Sequence, residues 1–309
     1  MDACPHAGWN FRPPVIQHIC NKTSDCEERC DMKVAVTGAG GMVGRFVIRE
    51  LLEQGYEVRA VTLEPWADCP VEQKQADMLN YEQVLDSFAG CGAVIHLAAF
   101  PSPVGRPETT VFHNNVMGLY HMLLAAGETG IARVAIASSD CAYGVTYSFQ
   151  ETRPVYFPVD ERHPAAPDNC YGLSKQVGEQ VAGSLAKRFG MKVSSLRITY
   201  VVDPQKYDAP SFIQSTEQPD REPWNLWSYL DGRDCARAFR MAIEATFDGH
   251  EVFNIAAADH RCVQPTEELL SRYYPEIKLT RAPSGHESLL DCSKAKRMLG
   301  FAPQYSWRR

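Results

Sequence analysis

Short apolar runs alternate with amphipathic segments along most of the chain. Residues 32–38 form the first run, which ends at a glycine, and similar runs cover 56–63, 93–99 and 134–139. Segments between them, such as 111–126, carry apolar residues at helical spacing. A near-continuous apolar run is typical of a parallel strand that is covered on both faces. The alternation predicts an α/β fold with a doubly wound parallel sheet, whose ligands bind at the carboxyl ends of the strands.

The last third of the chain has shorter and more polar elements. Helical spacing recurs at 235–246 and 265–274, and 251–255 is a predicted strand. Residues 210–223 are rich in Pro, Gln, Glu and Asp, so they predict a mobile loop that could cover a site.

These patterns divide the chain into a sheet domain and a small lobe. Residues 32–198, together with about 229–253, are expected to form the doubly wound domain. Residues from about 199–228 and 254–309 are expected to form a small C-terminal substrate-binding lobe. Residues 1–31 hold three prolines, four cysteines and no sustained period, so they are predicted to be a disordered extension.

The extension contains four residues that zinc can bind. His18, Cys20, Cys26 and Cys30 are close in sequence, but their spacings are not those of the usual zinc-binding pairs. No metal is therefore predicted.

Charge and hydropathy exclude several classes of partner. The 309 residues carry a formal net charge of -7, so neither a nucleic-acid nor an anionic membrane partner is predicted. No apolar stretch approaches the ~18 residues of a membrane helix. The first residues lack a basic segment followed by an apolar core, and the 11 cysteines are too spread out for a disulfide framework. A cytoplasmic protein with reduced thiols is the expectation.

A glycine-rich turn joins the first predicted strand to the first helix. Residues 38–44 have the sequence Gly-Ala-Gly-Gly-Met-Val-Gly. Gly38 permits the tight turn, Gly41 lets the backbone approach a pyrophosphate, and Gly44 lets the helix lie close to the strand. The free N–H groups at the helix start would face the phosphates. Strand, glycine turn and helix together predict a Rossmann-type dinucleotide site.

Polar residues collect where the later strands are predicted to end. Ser138 and Ser139 close the 134–139 strand, while Tyr171 and Lys175 lie four residues apart and share one helix face. Spacing alone does not assign them chemistry, because a tyrosine and a lysine so placed are often a packed ring and a solvated charge. His96 lies inside an apolar strand and is interpreted as a core histidine rather than a base.

The order of motifs resembles that of an extended short-chain dehydrogenase/reductase, the group that includes the NAD-dependent sugar epimerases and dehydratases. The matching pieces run from Met32 to about Arg309. They are Thr37–Gly44, Val94–Ala99, Asn115–Gly118, Ser138–Gly144, Tyr171–Lys175 and Ser195–Arg197.

The resemblance implies a catalytic role for four residues. Tyr171 would exchange a proton with the substrate, and its pKa would be lowered by the Lys175 ammonium and the nicotinamide charge. Ser139 would polarise the reacting oxygen, Asn115 would support the site and a proton-carrying water, and Ser138 would be structural. The implied cofactor-binding residues are Gly38, Gly41, Met42, Gly44, Thr62, Asp77, Met78, Leu97, Ala98, Ala99, Asn115, Tyr171 and Lys175.

The cofactor predicted by this pattern is NAD, with NADP left open. NAD-specific members carry an acidic residue at the end of the second strand, where this chain has Thr62. Glu64 could substitute for it, and no arginine follows to receive a 2′-phosphate.

Two further departures bear on the reaction. Dehydratases carry an acidic pair after the catalytic hydroxyl, but this chain has Asp140 and Cys141, which disfavours dehydration. Nucleotide-sugar enzymes place an arginine at a pyrophosphate-binding position that Trp227 occupies here, and Arg221 and Arg233 are nearby alternatives.

The expected function is reversible hydride transfer by an NAD(P)-dependent sugar or nucleotide-sugar oxidoreductase or epimerase. A net dehydrogenase of the aldose or uronate type is the alternative, with a smaller sugar as substrate. Trp224, Trp227 and Tyr229 could stack on a sugar or pack the lobe. The rival from another class is a non-catalytic NAD(P)-sensing regulator, although such proteins usually lose the tyrosine or the lysine. By analogy with the fold, the chain is expected to form a homodimer through helices near 111–126 and 171–188.

Overall fold

The computed structural model describes residues 32–221 and 223–308. The expectations for residues 1–31, including their disorder and the four candidate zinc ligands, lie outside the described residues.

Seven parallel strands form the central sheet, in the order β3-β2-β1-β4-β5-β7-β10. The strand order reverses between β1 and β4, which is where a doubly wound sheet opens a crevice for ligands. The predicted Rossmann-type fold is therefore confirmed. The strands of the described residues are β1 (Lys33–Thr37), β2 (Glu57–Thr62), β3 (Glu72–Gln75), β4 (Ala93–His96), β5 (Arg133–Ser139), β6 (Tyr156–Phe157), β7 (Lys192–Ile198), β8 (Val201–Val202), β9 (Leu230–Asp231), β10 (His250–Ile255) and β11 (Lys278–Leu279).

Helices cover both faces of this sheet. The helices of the described residues are α1 (Met42–Glu53), α2 (Tyr81–Phe88), α3 (Glu108–Glu128), α4 (Cys170–Phe189), α5 (Pro210–Glu217), α6 (Gly232–Glu244), α7 (Thr266–Tyr273) and α8 (Ser293–Leu299). Apolar residues of α1, α6 and α8 form one buried cluster with the sheet, and those of α2, α3 and α4 form the other. Two apolar layers explain why the central strands are apolar on both faces.

A third apolar cluster lies outside the sheet, in the C-terminal lobe. It joins Phe157 and Val159 to Trp227, Leu269 and Leu289. The short strands β6 and β11 pair in parallel beside it. Phe157 and Val159 thus pack with the lobe, although they precede its predicted start at about residue 199. Conversely, the end of α8 packs on the sheet, although it lies within the segment predicted to form the lobe. The predicted domain division stays a prediction.

Two predicted elements differ in the structure. The apolar run 93–99 is a strand only as far as His96, because Leu97 and Ala98 turn their N–H groups to the Thr37 Oγ1, at 3.2 and 3.3 Å. The prediction of a loop over 210–223 was wrong for its first half, which is the helix α5. A proline is tolerated in the first turn of a helix, and Pro210 begins this one.

The helix α5 is held in place by packing. Phe212 is buried, and the centre of its ring lies 5.9 Å from that of Trp307. A segment with a buried aromatic anchor is fixed to the lobe.

Candidate active site

The glycine turn packs its backbone against the end of β4. A Cβ atom on Gly38, where φ is +67°, would lie 2.8 Å from the Ala98 nitrogen. One on Gly44 would lie 2.5 Å from the Gly38 oxygen, so the start of α1 touches the turn directly. Gly41 is the N-cap of α1, and no side chain caps the helix there. Unclaimed N–H groups at a helix start are a natural site for a phosphate.

A cleft of about 660 Å³ opens above this turn. Eight of the predicted cofactor-binding residues line it, namely Gly38, Gly41, Met42, Gly44, Thr62, Leu97, Ala98 and Ala99. A volume of this size suits a dinucleotide and the glycines give it a close backbone floor, so the residues present fit NAD.

Two predicted adenine-binding residues are absent from the described lining of the cleft. Met78 is buried against Gly118 of α3, and its carbonyl accepts a hydrogen bond from His121 at 2.9 Å. Asp77 accepts a hydrogen bond from the Leu79 N–H at 2.9 Å. Their contact with the adenine stays a prediction.

Ser139, Tyr171 and Lys175 lie at the carboxyl edge of the sheet and are not part of the described lining of the cleft. Lys175 lines a small cavity together with Ala99, which also lines the cleft. Ser139 ends β5, and its hydroxyl interacts with the Tyr171 phenol at the start of α4. The Lys175 Nζ lies 5.5 Å from the centre of the Tyr171 ring and donates to the Ala137 carbonyl at 2.7 Å. Residues 139 and 171 are far apart in sequence, and the carboxyl edge of the sheet brings them together.

Burial controls the electrostatics of this cluster. It raises the pKa of the Tyr171 phenol and lowers the pKa of Lys175 to about 8. Near pH 7 the phenol is therefore protonated and the lysine is mostly an ammonium. From the sequence, the pKa of this phenol is expected to lie below its ordinary value, and burial acts in the opposite direction. Its lowering by the nicotinamide charge stays a prediction.

Asn115 lies close to Lys175, on the wall of the same small cavity. Its Oδ1 accepts from the Phe100 N–H at 2.8 Å, and its Nδ2 donates to the Ser174 hydroxyl at 3.2 Å. Asn115 and Lys175 line a small cavity of about 20 Å³, beside the cleft. A cavity of this volume has room for one water molecule, and the supporting role of Asn115 stays a prediction.

A buried ion pair beneath the site was missed by the sequence argument. Glu179 and Arg197 are 2.7 Å apart, and the Ser138 hydroxyl donates to Glu179 at 2.6 Å. The available indication in the sequence was that Glu179 follows Lys175 by four residues, which places both on one face of the same helix. Ser138 is thus structural, as expected.

His96 is a buried, neutral core histidine, as interpreted from the sequence. Its Nδ1 lies 2.8 Å from the Thr37 Oγ1, and burial lowers its pKa to about 3.

The aromatic residues of the lobe divide into packed and exposed ones. Trp227 and Tyr229 are fully buried in apolar clusters of the lobe. The indole N–H of Trp227 donates to the Pro219 carbonyl at 3.0 Å. Trp224 is 44% exposed, so it alone of the three presents a large open surface.

The two alternative arginines are both engaged elsewhere. Arg233 pairs with Asp231 at 2.8 Å, and Arg221 donates to Gln214 at 2.9 Å.

The chain matches one protein family over most of its described length. The profile of the NAD dependent epimerase/dehydratase family matches residues 34–256. The chain belongs to this family. The predicted family, the NAD cofactor and the predicted class of enzyme, an NAD-dependent epimerase or dehydrogenase of the extended short-chain type, are thereby confirmed.

Relatives within this family include sugar dehydrogenases. The chain is 29% identical to the NAD-dependent glucose-6-phosphate dehydrogenase of Haloferax volcanii over 246 residues, which cover 75% of this chain and 87% of that protein. It is 29% identical to the L-arabinose 1-dehydrogenase (NAD(P)(+)) of the same organism over 244 residues, covering 77% and 93%. The glucuronic acid dehydrogenase from Chromohalobacter salexigens is similar in structure, with a TM-score of 0.65, 26% identity and coverage of 90% and 86%.

The rim of the cleft carries two residues that the sequence patterns did not indicate. Arg45 and Trp66 both line the cleft near Thr62. Arg45 and Trp66 lie far apart in sequence, so no local sequence pattern indicates that their side chains are neighbours.

Neither a metal site nor a membrane span is found in the part of the chain that the structure describes. That part holds no group of three or more His, Cys, Asp or Glu side chains arranged to bind a metal ion. It also has no helix that is both long and apolar enough to cross a membrane.

Proposed function

We propose that this protein is a net NAD-dependent dehydrogenase of a small sugar, with Tyr171 as its acid/base. The observation that carries the proposal is the meeting of the Ser139 hydroxyl, the Tyr171 phenol and the Lys175 ammonium at the carboxyl edge of the sheet, where Lys175 and the cleft share Ala99 as a neighbour. The alternative is an epimerase of the same family, in which the cofactor is recycled.

The chemistry divides between the cofactor and the chain. NAD, when bound, accepts the hydride from the carbon that bears the reacting hydroxyl. The Tyr171 phenol first loses its own proton to solvent. As the phenolate it then takes the proton of that hydroxyl as general base, and Ser139 holds the same oxygen by a hydrogen bond. The Lys175 ammonium beside the ring stabilises the phenolate.

A small sugar is favoured over a nucleotide sugar by the lobe. Trp227 stands where nucleotide-sugar members carry an arginine for the pyrophosphate, and its indole is buried in the lobe. Arg221 and Arg233 are engaged with other side chains. The two Haloferax relatives are named as dehydrogenases of glucose 6-phosphate and L-arabinose.

The reaction type is tested with a panel of substrates. Purified protein is incubated with NAD and with aldoses, aldose phosphates, uronates, nucleotide sugars and an aromatic aldehyde, and NADH absorbance is followed. Steady NADH formation with one of the small sugars supports the proposal. An epimer formed without NADH favours the epimerase. NAD binding without turnover of any substrate would favour the regulator.

The role of Tyr171 is tested by Tyr171→Phe, which removes only the hydroxyl. We expect turnover to fall by roughly 100- to 10,000-fold, with NAD affinity nearly unchanged by calorimetry. Tyr120→Phe, on the exposed surface of α3, is the matched control and should keep full activity. Full activity of Tyr171→Phe would refute the assignment.

We further infer a homodimer built on α3 and α4 and a cytoplasmic location. Exposed apolar side chains on α3 and α4, such as Tyr120 and Leu173, support the dimer. Buried thiols at Cys141, Cys170 and Cys235 agree with a reducing compartment.

A further inference from the structure

The rim of the cofactor cleft carries a cation that is held in place by its neighbours. The Arg45 guanidinium lies 4.7 Å from the centre of the Trp66 ring, and its Nε donates to the Gly40 carbonyl at 3.0 Å. Both residues line the cleft. Stacking and one hydrogen bond thus fix the plane of the guanidinium.

The outer nitrogens of this guanidinium are available to a ligand. Within residues 32–221 and 223–308, Arg45 forms no ion pair, and its one hydrogen bond uses Nε. Its side chain is exposed at the cleft. Two parallel N–H groups on a fixed plane match the oxygen geometry of a phosphate.

The neighbouring end of β2 offers no carboxylate at the expected position. Thr62 is buried there, and its hydroxyl and the Gln73 amide are hydrogen-bonded at 2.7 Å. A Cβ atom on Gly40, the residue that anchors Arg45, would lie 3.9 Å from the Thr62 Cγ2. Arg45 is therefore anchored beside the position where NAD-specific sites hold an acidic residue against the adenosine ribose.

A carboxylate at this position binds the 2′-hydroxyl of NAD and repels the 2′-phosphate of NADP. The Thr62 hydroxyl is engaged by the Gln73 amide and carries no charge that would repel a phosphate, whereas a guanidinium attracts one. Glu64 also lines the cleft, and it forms no ion pair with Arg45 in the described part of the chain.

We propose that Arg45, braced by Trp66, receives the 2′-phosphate of NADP, so that the cleft takes NADP as well as NAD. The inference concerns the cofactor of the same site and rests on the proposed function. No arginine follows Thr62 to receive this phosphate, and Arg45 of α1, which precedes Thr62 in the chain, would take that part.

The test measures cofactor binding without any sugar. Dissociation constants for NAD and NADP are determined by calorimetry for wild type, Arg45→Gln, Arg45→Lys and Arg49→Gln. Arg49 lies one turn further along α1 and is exposed, so its variant controls for the loss of one positive charge from this helix. Melting temperatures of the free proteins confirm that each variant is folded.

We expect wild type to bind both cofactors, with NADP binding weakening more steeply as salt is added. In Arg45→Gln the ratio of the NADP to the NAD dissociation constant should rise about 10- to 100-fold. Arg45→Lys should give an intermediate ratio, because lysine keeps the charge and loses the paired donors. Arg49→Gln should leave the ratio unchanged.

Three results would overturn the inference: no binding of NADP to wild type, an unchanged ratio in Arg45→Gln, or an equal change in Arg49→Gln. A further variant, Glu64→Gln, tests the competing view that Glu64 is the ribose ligand. If Glu64→Gln alone shifts the ratio, Arg45 is not the determinant.

The two proposals fail in different experiments. NADP binding that depends on Arg45, without oxidation of any sugar, would defeat the proposed function alone. Oxidation of a sugar with NAD by a protein that does not bind NADP would defeat this inference alone.

Discussion

Asp140 is a half-buried carboxyl group beside the Ser139 hydroxyl. The Ser139 hydroxyl donates to Asp140 at 3.1 Å, and burial raises the pKa of Asp140 to about 6. Burial is the main cause that raises the pKa of Tyr171, and the negative charge of Asp140 adds to it. At neutral pH this carboxylate therefore opposes formation of the phenolate.

Asp140→Asn should thus move the pH profile for sugar oxidation toward lower pH, by less than about 1 unit. The measurement is kcat/KM as a function of pH for the variant and wild type. A profile that stays in place or moves to higher pH would contradict the argument.

The same group links stability to pH. Its pKa in the folded state, about 6, exceeds the ordinary value of 3.8, so the folded protein holds this proton more tightly than the unfolded chain. Stability is then lost as pH rises from about 4 through about 6. Asp140→Asn should gain more in melting temperature over wild type near pH 7 than near pH 4. Asp248→Asn, on the surface, is the control and should show no such difference.

Several site residues were predictable from their local sequence. The glycines of the turn need only their own spacing, and Tyr171 and Lys175 lie on one helix. The position of Arg45 was not predictable, because it depends on a contact between α1 and the segment after β2. The burial of Tyr171 was not predictable either, because the side chains that bury it come from distant parts of the chain.

At the scale of the elements, the ion pair of Glu179 and Arg197 connects the helix α4 to the strand β7. Each side chain of this ion pair is 6% exposed. Arg197 also lies 4.5 Å from the centre of the Tyr143 ring, and Ser138 of β5 donates to Glu179. Removing one partner leaves the other charge buried without compensation.

We therefore expect Arg197→Leu to lower the free energy of unfolding by about 3–5 kcal/mol, measured by denaturant titration. The exposed pair of Arg153 and Glu151 is the control, and Arg153→Leu should cost at most about 1 kcal/mol. Equal losses in the two variants would show that the buried pair does not stabilise the fold in this way.

The strands were predicted well because burial on both faces leaves a near-continuous apolar run, and the helices because burial on one face leaves a helical period. The helix α5 escaped prediction because its polar residues resemble a loop, and it is fixed by the long-range packing of Phe212 on Trp307.

At the scale of the whole molecule, α3 and α4 pack side by side on one face of the sheet and leave apolar side chains at the surface. Tyr120 on α3 is 36% exposed and Leu173 on α4 is 39% exposed. Exposed apolar residues on adjoining helices favour association with a second copy.

Sedimentation analysis should therefore give twice the mass of one chain, and Tyr120→Glu should shift it toward the monomer. Leu52→Glu changes an equally exposed side chain of α1, on the opposite face, and should leave the dimer intact. A monomeric wild type, or the same shift in both variants, would contradict this interface.

The small cavity beside Lys175 limits which cation the site can use. Its about 20 Å³ accommodates a single water molecule on the buried side of the ammonium. An arginine at position 175 would keep the charge, but its larger planar guanidinium would have to displace that water or move a lining side chain. Lysine is thus the cation that this lining holds without rearrangement.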